Sequence, residues 1–204
     1  MTLLFIFDMD DVLYDYDWRK RMQGMTDLTG LSLMQMRDLW WHDEGEWAAE
    51  AGVFPTPEAY LDAFESAIGM KVDENEWVRV RGAAMTARPD AIAAVVRASE
   101  LGDVTLLTNN GALTAKHLRT LAPELVPVFG EHLHTSSEYS ARKPNPVVFE
   151  RVLAAYERDA SEAFFVDDMP GNVAGAASIG ISAHLYQSPA GLLRAIEDFA
   201  KARV

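Results

Sequence analysis

Cysteine is absent from the 204-residue sequence, which excludes disulfide bonds, thiolate catalysis and zinc–thiolate sites. No apolar run approaches the ~18 residues that a membrane-spanning helix needs. The first apolar run has no basic residues before it and ends at Asp8, which argues against a secretory signal peptide. Together these absences favour a cytoplasmic protein that does not bind membranes.

Positive charge is also scarce. The chain has 18 Lys and Arg against 31 Asp and Glu, a formal net charge of −13. A field of this sign repels nucleic acids and anionic membranes, so neither is expected as a partner. Hydrophobic residues make up 49% of the chain, which is enough for a packed core. The length suits one domain with a small inserted one, and we expect a monomer or a small homo-oligomer.

Strand and helix patterns alternate over most of the chain. Short apolar runs rich in β-formers predict buried strands at 3–7, 104–108, 132–136, 163–167 and 182–186. Helical patterns fall at 89–102, 112–123, 145–158, 171–180 and 188–202. Helix starts are marked by Pro89, Pro146 and Pro189, and helix ends by Gly102 and Gly180. This alternation predicts a doubly wound α/β fold with a parallel sheet covered on both faces.

A strand pattern is missing between about residues 14 and 86. The stretch is aromatic and amphipathic, which predicts an inserted α-helical subdomain at 14–86 and a core made of residues 1–13 and 87–204. The insertion follows the first strand directly, so it should lie over the carboxyl end of that strand. In open α/β sheets, this is the edge at which ligands bind.

Acidic residues stand at the end of the first strand, where the chain reads "FIFDMDDV" with Asp8 and Asp10 two residues apart. Carboxylates repel one another and resist desolvation, so they are tolerated together when a positive group, usually a metal ion, lies among them. Further polar residues are expected at the same edge of the sheet: Thr108, Asn109, Asn110, Lys143, Asp167 and Asp168. Together they supply a nucleophile, an acid, oxygen ligands for a metal, a cradle for an anion, and a cation.

Four motifs in this order resemble those of the haloacid dehalogenase-like superfamily. "FDMDDV" is similar to its Asp-x-Asp-x-Val/Thr motif, and "LLTNNG" to its strand-ending Thr motif. "RKPNP" is similar to its Lys-Pro motif, and "FVDDMPGNVAGAASIG" to its acidic metal motif. The resemblance covers nearly the whole chain and implies a Rossmann-like core. The insert resembles the small helical cap of one subgroup, and within that subgroup the chain looks closest to sugar-phosphate phosphatases.

The resemblance implies a role for each acidic residue. Asp8 would be the nucleophile that forms an aspartyl-phosphate, and Asp10 would protonate the leaving group and then deprotonate the attacking water. Mg²⁺ would bind the Asp8 carboxylate, the Asp10 main-chain carbonyl and Asp168, with Asp167 as a further ligand.

The other motif residues would manage the charge of the phosphate. Thr108, helped by the backbone N–H groups of Asn109 and Asn110, would hold a phosphate oxygen. Lys143 would neutralise both Asp8 and the phosphate. Two like charges 4 Å apart repel by roughly 4 kcal/mol at an effective dielectric constant near 20, so Lys143 and Mg²⁺ are both needed.

Substrate choice would depend on the insert. The expected substrate is a small phosphorylated metabolite, with a sugar phosphate as the favoured class, and Arg19 and His42 are the predicted contacts from the insert. Three tryptophans of the insert are assigned to its core: Trp40, Trp41 and Trp47. The run "RKR" at 19–21 is typical of a solvated helix face, with a phosphate contact near the hinge of the insert as the alternative.

Three alternatives stay open. A phosphomutase shares all four motifs. A haloacid dehalogenase also uses an Asp nucleophile, but a halide leaves without a proton and without Mg²⁺, which would leave Asp10 and the Asp167–Asp168 pair without a purpose. A non-hydrolytic phosphoacceptor signalling module would need its acid pair before the Thr and Lys, whereas here Asp167 and Asp168 follow Lys143.

Overall fold

A computed structural model describes residues 2–203, and its central feature is a five-stranded parallel sheet in the order β5-β4-β1-β6-β7. The strands within these residues are β1 (Leu3–Phe7), β2 (Tyr14–Tyr16), β3 (Met85–Ala87), β4 (Gly102–Thr108), β5 (Leu133–Thr135), β6 (Ala163–Asp167) and β7 (Ser182–Leu185). The doubly wound α/β fold predicted from the sequence is confirmed.

The helices divide into two groups. Five follow β2 and belong to the insert: α1 (Trp18–Thr29), α2 (Leu33–Leu39), α3 (Glu46–Glu50), α4 (Pro57–Ile68) and α5 (Glu74–Ala83). Six flank the sheet: α6 (Pro89–Ser99), α7 (Ala112–Leu121), α8 (Val126–Phe129), α9 (Pro146–Ala155), α10 (Pro170–Ala177) and α11 (Pro189–Lys201). No helix in residues 2–203 has both the length and the apolar character needed to cross a bilayer.

Strand β1 lies at the centre of the sheet, and all five of its residues are buried. Phe5 and Phe7 face a cluster built largely by α6 and α11, whereas Leu4 and Ile6 face a second cluster built by α9 and α10. Each large apolar side chain buried in this way contributes about 1.5–3 kcal/mol to stability. The strand that carries Asp8 at its end is therefore firmly anchored.

The predicted helix starts are confirmed, and one predicted helix end is wrong. Pro89, Pro146 and Pro189 are the first residues of α6, α9 and α11. The prediction that Gly102 ends a helix is wrong, because α6 stops at Ser99 and Gly102 begins β4 opposite Leu3 of β1. Pairing with the central strand outweighs the helical pattern there.

The insert contains two strands that the sequence pattern did not predict. β2 and β3 pair antiparallel, with Tyr14 opposite Ala87 and Tyr16 opposite Met85. Each has three residues, which is too short for an alternating pattern to stand out. The chain therefore leaves the core and returns to it at one place. Between these strands, α1–α5 build most of a third hydrophobic cluster, which includes Trp40, as predicted, and is completed by Leu113 of α7.

Candidate active site

Lys143 links the ends of β1 and β6. Its Nζ lies 2.8 Å from Oδ1 of Asp8 and 2.6 Å from Oδ2 of Asp167. All three residues are buried, and Lys143 is only 1% exposed. Burial alone would lower the pKa of Lys143, but the two carboxylates outweigh it and raise that pKa. The ammonium group is therefore held charged between two acids from neighbouring strands.

The residues that end β4 fix the loop carrying Lys143. The side-chain amide of Asn109 donates to the carbonyl oxygen of Lys143 at 2.9 Å and accepts from its N–H at 2.9 Å. The amide of Asn110 donates to Oγ1 of Thr108 at 2.8 Å and accepts from Thr114 at 3.2 Å. Thr108, Asn109 and Asn110 therefore meet Lys143 at one edge of the sheet, next to the start of α7.

Asp167 is completely buried and has partners on both oxygens. Oδ1 accepts from the N–H of Met169 at 2.8 Å, and Asn172 donates to both oxygens at 3.0 Å. Asn172 lies on α10, which comes very close to the Lys143 loop. A Cβ added at Gly175 of the same helix would lie 2.2 Å from the carbonyl oxygen of Pro144. Only glycine allows this approach.

Three acids can share one cation. Asp8, Asp167 and Asp168 each offer a carboxylate oxygen, and these oxygens all lie within 4.8 Å of one another. Burial raises the pKa of Asp8 well above its usual range, and the charges of Asp167 and Asp10 raise it further. Burial and the neighbouring Asp167 raise the pKa of Asp168 to about 6. A divalent cation would remove this penalty, and carboxylate oxygens are the ligands that Mg²⁺ prefers.

Asp10 is bound by an arginine of the insert. Nη2 of Arg81, on α5, lies 2.6 Å from Oδ2 of Asp10, and the guanidinium sits 4.0 Å from the centre of the Tyr16 ring. Arg81 is 3% exposed. Burial would lower the pKa of Arg81, but the charge of Asp10 outweighs it and raises that pKa. The insert and the core therefore meet in a partly buried ion pair at the proposed acid.

A comparison with known protein families identifies the family of this chain. The family model described as haloacid dehalogenase-like hydrolase matches residues 2–180. The chain belongs to the haloacid dehalogenase-like hydrolases. The motif residues described above all lie within the matched range, and the family assignment made from the motifs is confirmed.

Relatives of this family resemble the chain over most of its length. Phosphatase MT3486 of Mycobacterium tuberculosis (strain CDC 1551 / Oshkosh) is 30% identical over 195 residues, which cover 88% of this chain and 85% of the relative. The HAD family enzyme bt-2542 of Bacteroides thetaiotaomicron, solved with magnesium and inorganic phosphate, gives a TM-score of 0.75 at 20% identity, covering 92% of this chain and 95% of the other. A 2-haloacid dehalogenase of Pseudomonas syringae pv. Tomato DC3000 gives 0.69 at 19% identity, covering 100% of both chains.

A cavity of about 740 Å³ lies between the insert and this edge of the sheet. Asp10, Asn109 and Asn110 form the part of its wall that comes from the catalytic motifs of the family. Aromatic and apolar side chains form much of the rest: Tyr16, Trp18, Leu33, Trp41, Trp47, Trp77 and Met169. Its size is typical of sites for small molecules.

The contacts predicted from the insert need correction. Arg19 is exposed, His42 accepts a hydrogen bond from the N–H of Glu44, and neither lines the cavity. The run at 19–21 is not a uniformly solvated face, because Arg21 is buried and lines the cavity. Trp40 lies in the core of the insert as predicted. Trp41 packs against that core and also lines the cavity, whereas Trp47 is exposed and lines the cavity.

Arg21 and Arg81 were missed, although the sequence carries a signal for both. Arg81 is four residues after the buried Trp77, and Arg21 is four residues before the buried Met25. Residues four apart share a helix face, so both arginines belong to apolar faces. An arginine on an apolar helix face is rarely buried unless another group compensates its charge.

Proposed function

We propose that this chain is a Mg²⁺-dependent phosphatase that hydrolyses small phosphomonoesters through an aspartyl-phosphate at Asp8. The observation that carries the proposal is the buried Lys143 ammonium between Asp8 and Asp167, at 2.8 and 2.6 Å. The placement suits a nucleophile that must approach an anionic phosphate, because a fixed cation lowers the repulsion between them. Two relatives support the assignment: MT3486 is named a phosphatase, and bt-2542 was solved with magnesium and inorganic phosphate.

The proposed reaction has two steps on the same pair of acids. In the first, a carboxylate oxygen of Asp8 forms a bond to phosphorus while the bond from phosphorus to the ester oxygen breaks, and Asp10 gives its proton to that oxygen. In the second, Asp10 takes a proton from water as the water oxygen attacks phosphorus. The bond to Asp8 then breaks, inorganic phosphate leaves, and both acids return to their starting states.

The acids at the strand ends are suited to hold Mg²⁺. Asp8, the main-chain carbonyl of Asp10, and Asp168 would be ligands, with Asp167 holding Lys143 behind them and completing the acid cluster. Bound Mg²⁺ would neutralise part of the charge on the nucleophile and the phosphate. Among residues 2–203, the four carboxylates of Asp8, Asp10, Asp167 and Asp168 have two partner cations, Lys143 and Arg81, which supports a further positive ion.

The end of β4 would bind the phosphate oxygens. Thr108 is buried at the strand end, and the N–H groups of Asn109 and Asn110 precede α7, a helix of ten residues. A helix start favours anions because its N–H groups are free and its dipole is positive there. Lys143 would complete this cradle on the side of Asp8.

Residues 14–86 would act as a cap over a core of residues 1–13 and 87–204. The β2–β3 pair, the hydrophobic cluster built mostly by α1–α5 and the cavity beneath α1 and α5 support this division. Such a small cap suits a small substrate, because closure must exclude water from the reacting phosphorus. A sugar phosphate is the class favoured by the resemblance, with the insert rather than the motifs selecting it.

Phosphate release from a panel of phosphorylated metabolites, measured at defined Mg²⁺, tests the proposal. We expect hydrolysis that is lost on chelation, restored by Mg²⁺ and inhibited by Ca²⁺, whose looser coordination misplaces the nucleophile. Asp8→Asn should abolish turnover, whereas Asp38→Asn, at an exposed position on α2, should not. Undiminished turnover in excess chelator would rule out the proposal.

Halide release from 2-haloacids would favour a dehalogenase, and transfer of phosphate between positions of one sugar would favour a mutase.

A further inference from the structure

The insert carries a buried arginine that the proposed reaction does not use. Arg21, on α1, is 3% exposed and lines the cavity that also contains Asp10. Its Nη1 donates to Sδ of Met25 at 3.2 Å and to the carbonyl oxygen of Trp77 at 3.3 Å. The guanidinium lies 4.5 Å from the centre of the Trp77 ring. A thioether is a weak acceptor, so the charge of Arg21 is poorly compensated.

Arg21 differs from the other buried cations of residues 2–203, which are Arg81 and Lys143. Arg81 pairs with Asp10, and Lys143 pairs with two aspartates. Within the same residues, no carboxylate lies within 4.0 Å of the Arg21 guanidinium. Burial lowers the pKa of Arg21, and the charge of Glu46, which makes no ion pair with it, offsets this only in part.

The acids of the cavity wall have other partners. Glu46 accepts hydrogen bonds from the hydroxyl of Tyr60 at 2.7 Å and from the indole N–H of Trp40. Glu50 is paired with Arg142, whose Nε lies 2.6 Å from Oε2 of Glu50. The wall therefore supplies no acid that binds Arg21 directly. A second arginine, Arg37, lines the same cavity and has no carboxylate partner within 4.0 Å among residues 2–203.

We propose that Arg21 binds a second anionic group of the substrate, a carboxylate or a second phosphate, away from the phosphoryl group that is transferred. A guanidinium presents its N–H donors in a planar fork that matches either anion. A buried cation without a partner is costly in the empty site, and an anionic group offsets that cost on binding, whereas a hydroxyl does not. The inference rests on the proposed function and narrows the substrate class to phosphomonoesters with a second anion.

Matched substrates test this inference. The neutral reference substrates are terminal phosphate esters of three-, four- and six-carbon polyols. Each is compared with two anionic analogues of the same length: one has a carboxylate in place of the hydroxymethyl group at the far end, and the other carries a second phosphate on that group. We expect the wild-type protein to prefer an anionic member at one or more lengths by about tenfold or more in kcat/KM, the usual effect of a charge-assisted hydrogen bond. No preference at any length would overturn the inference.

Variants assign the preference to Arg21. Arg21→Met should remove it, and Arg21→Lys, which keeps the charge but loses the fork, should retain part of it. Arg79→Met is the matched control, because Arg79 is exposed on α5 and pairs with Glu76. An equal loss on neutral and anionic esters in Arg21→Met would place Arg21 at the transferred phosphate and overturn the inference. If the wild-type protein hydrolyses 4-nitrophenyl phosphate but no anionic ester, the inference about Arg21 is wrong and the proposed function stands. If it hydrolyses no phosphate ester at all, the proposed function itself is wrong.

Discussion

A residue of the insert, Arg81, orients the side chain of Asp10. Arg81 binds its Oδ2 at 2.6 Å, whereas its Oδ1 is buried and has no hydrogen-bond partner in the described residues. Since Arg81 occupies Oδ2, Oδ1 is the oxygen left to hold the proton that the proposed mechanism assigns to Asp10. Arg81 is thus a positioning residue for the proposed acid, although it belongs to a different part of the fold.

Replacing Arg81 should change the leaving-group dependence of the reaction. An alkyl phosphate needs a proton on its departing oxygen, whereas 4-nitrophenolate leaves readily without one. We therefore expect Arg81→Met to lower kcat/KM for an alkyl phosphate by about tenfold more than for 4-nitrophenyl phosphate. Arg81→Lys should recover part of the difference, and Arg79→Met should behave as wild type. An equal fall on both substrates would mean that Arg81 has only a structural role.

At the level of residues, the sequence predicted the groups of the core and missed those of the insert. Asp8, Lys143 and Asp167 follow strands or lie in ordered motifs, so their convergence can be inferred from topology alone. Arg21 and Arg81 depend on how helices pack over the sheet, which no local pattern specifies. Arg19, a contact predicted from the sequence, lies on a side of α1 that faces solvent.

Helix α10 is the element that sets the position of the Lys143 loop. Its Asn172 binds Asp167, and its Gly175 lets the helix approach the carbonyl oxygen of Pro144. A second glycine of the helix, Gly171, has nothing within 4 Å of an added Cβ. The two glycines therefore provide a matched pair on one helix.

Adding a methyl group at each glycine should have opposite effects. Gly175→Ala should destabilise the protein by about 1–3 kcal/mol, since a backbone atom blocks the new Cβ, and should lower activity by displacing Lys143. Gly171→Ala should leave the melting temperature unchanged or slightly raised, because alanine favours helix. Thermal unfolding and phosphate release measure both effects. A Gly175→Ala protein as stable and active as Gly171→Ala would contradict this role for α10.

At the level of elements, long apolar sequence patterns predicted the strands of the main sheet, whereas the two three-residue strands were not predicted. β1, β4 and β6 were found because their apolar runs are buried on both faces. β2 and β3 were missed because each has three residues and forms only by pairing with the other, as Asp15 does with Thr86, 71 positions later. Helix ends shifted where a neighbouring strand competed, as at Gly102.

At the level of the whole molecule, the net charge repels an anionic substrate, whereas the cavity wall carries arginines that no carboxylate of the described residues pairs with. The net charge of −13 repels anions at long range, although salt screens this field beyond about 8 Å at physiological ionic strength. Within the cavity, Arg21 and Arg37 are cations without a carboxylate partner among residues 2–203. The composition predicted the overall field, but only the packed structure places cations at the site.

Mg²⁺ should stabilise the folded protein, since the acid cluster exists only when the strand ends are assembled. At a hundredfold excess over its Kd, the ion would add about 2.7 kcal/mol, which raises the melting temperature by roughly 5–10 °C for a chain of this size. Asp168→Asn should lose most of this shift, whereas Asp38→Asn should keep it. Equal shifts in the two variants would place the ion elsewhere.

The central claim is that Asp8 carries the phosphoryl group, and mass spectrometry of the acid-quenched protein during turnover of 4-nitrophenyl phosphate tests it most directly. Asp10→Asn should accumulate the adduct, because this leaving group departs without an acid while hydrolysis of the aspartyl-phosphate still needs a base. The proposed mechanism predicts one added phosphoryl group on the peptide that contains Asp8, and none in the Asp8→Asn, Asp10→Asn double variant. An adduct on another residue, or the same adduct in the double variant, would contradict it.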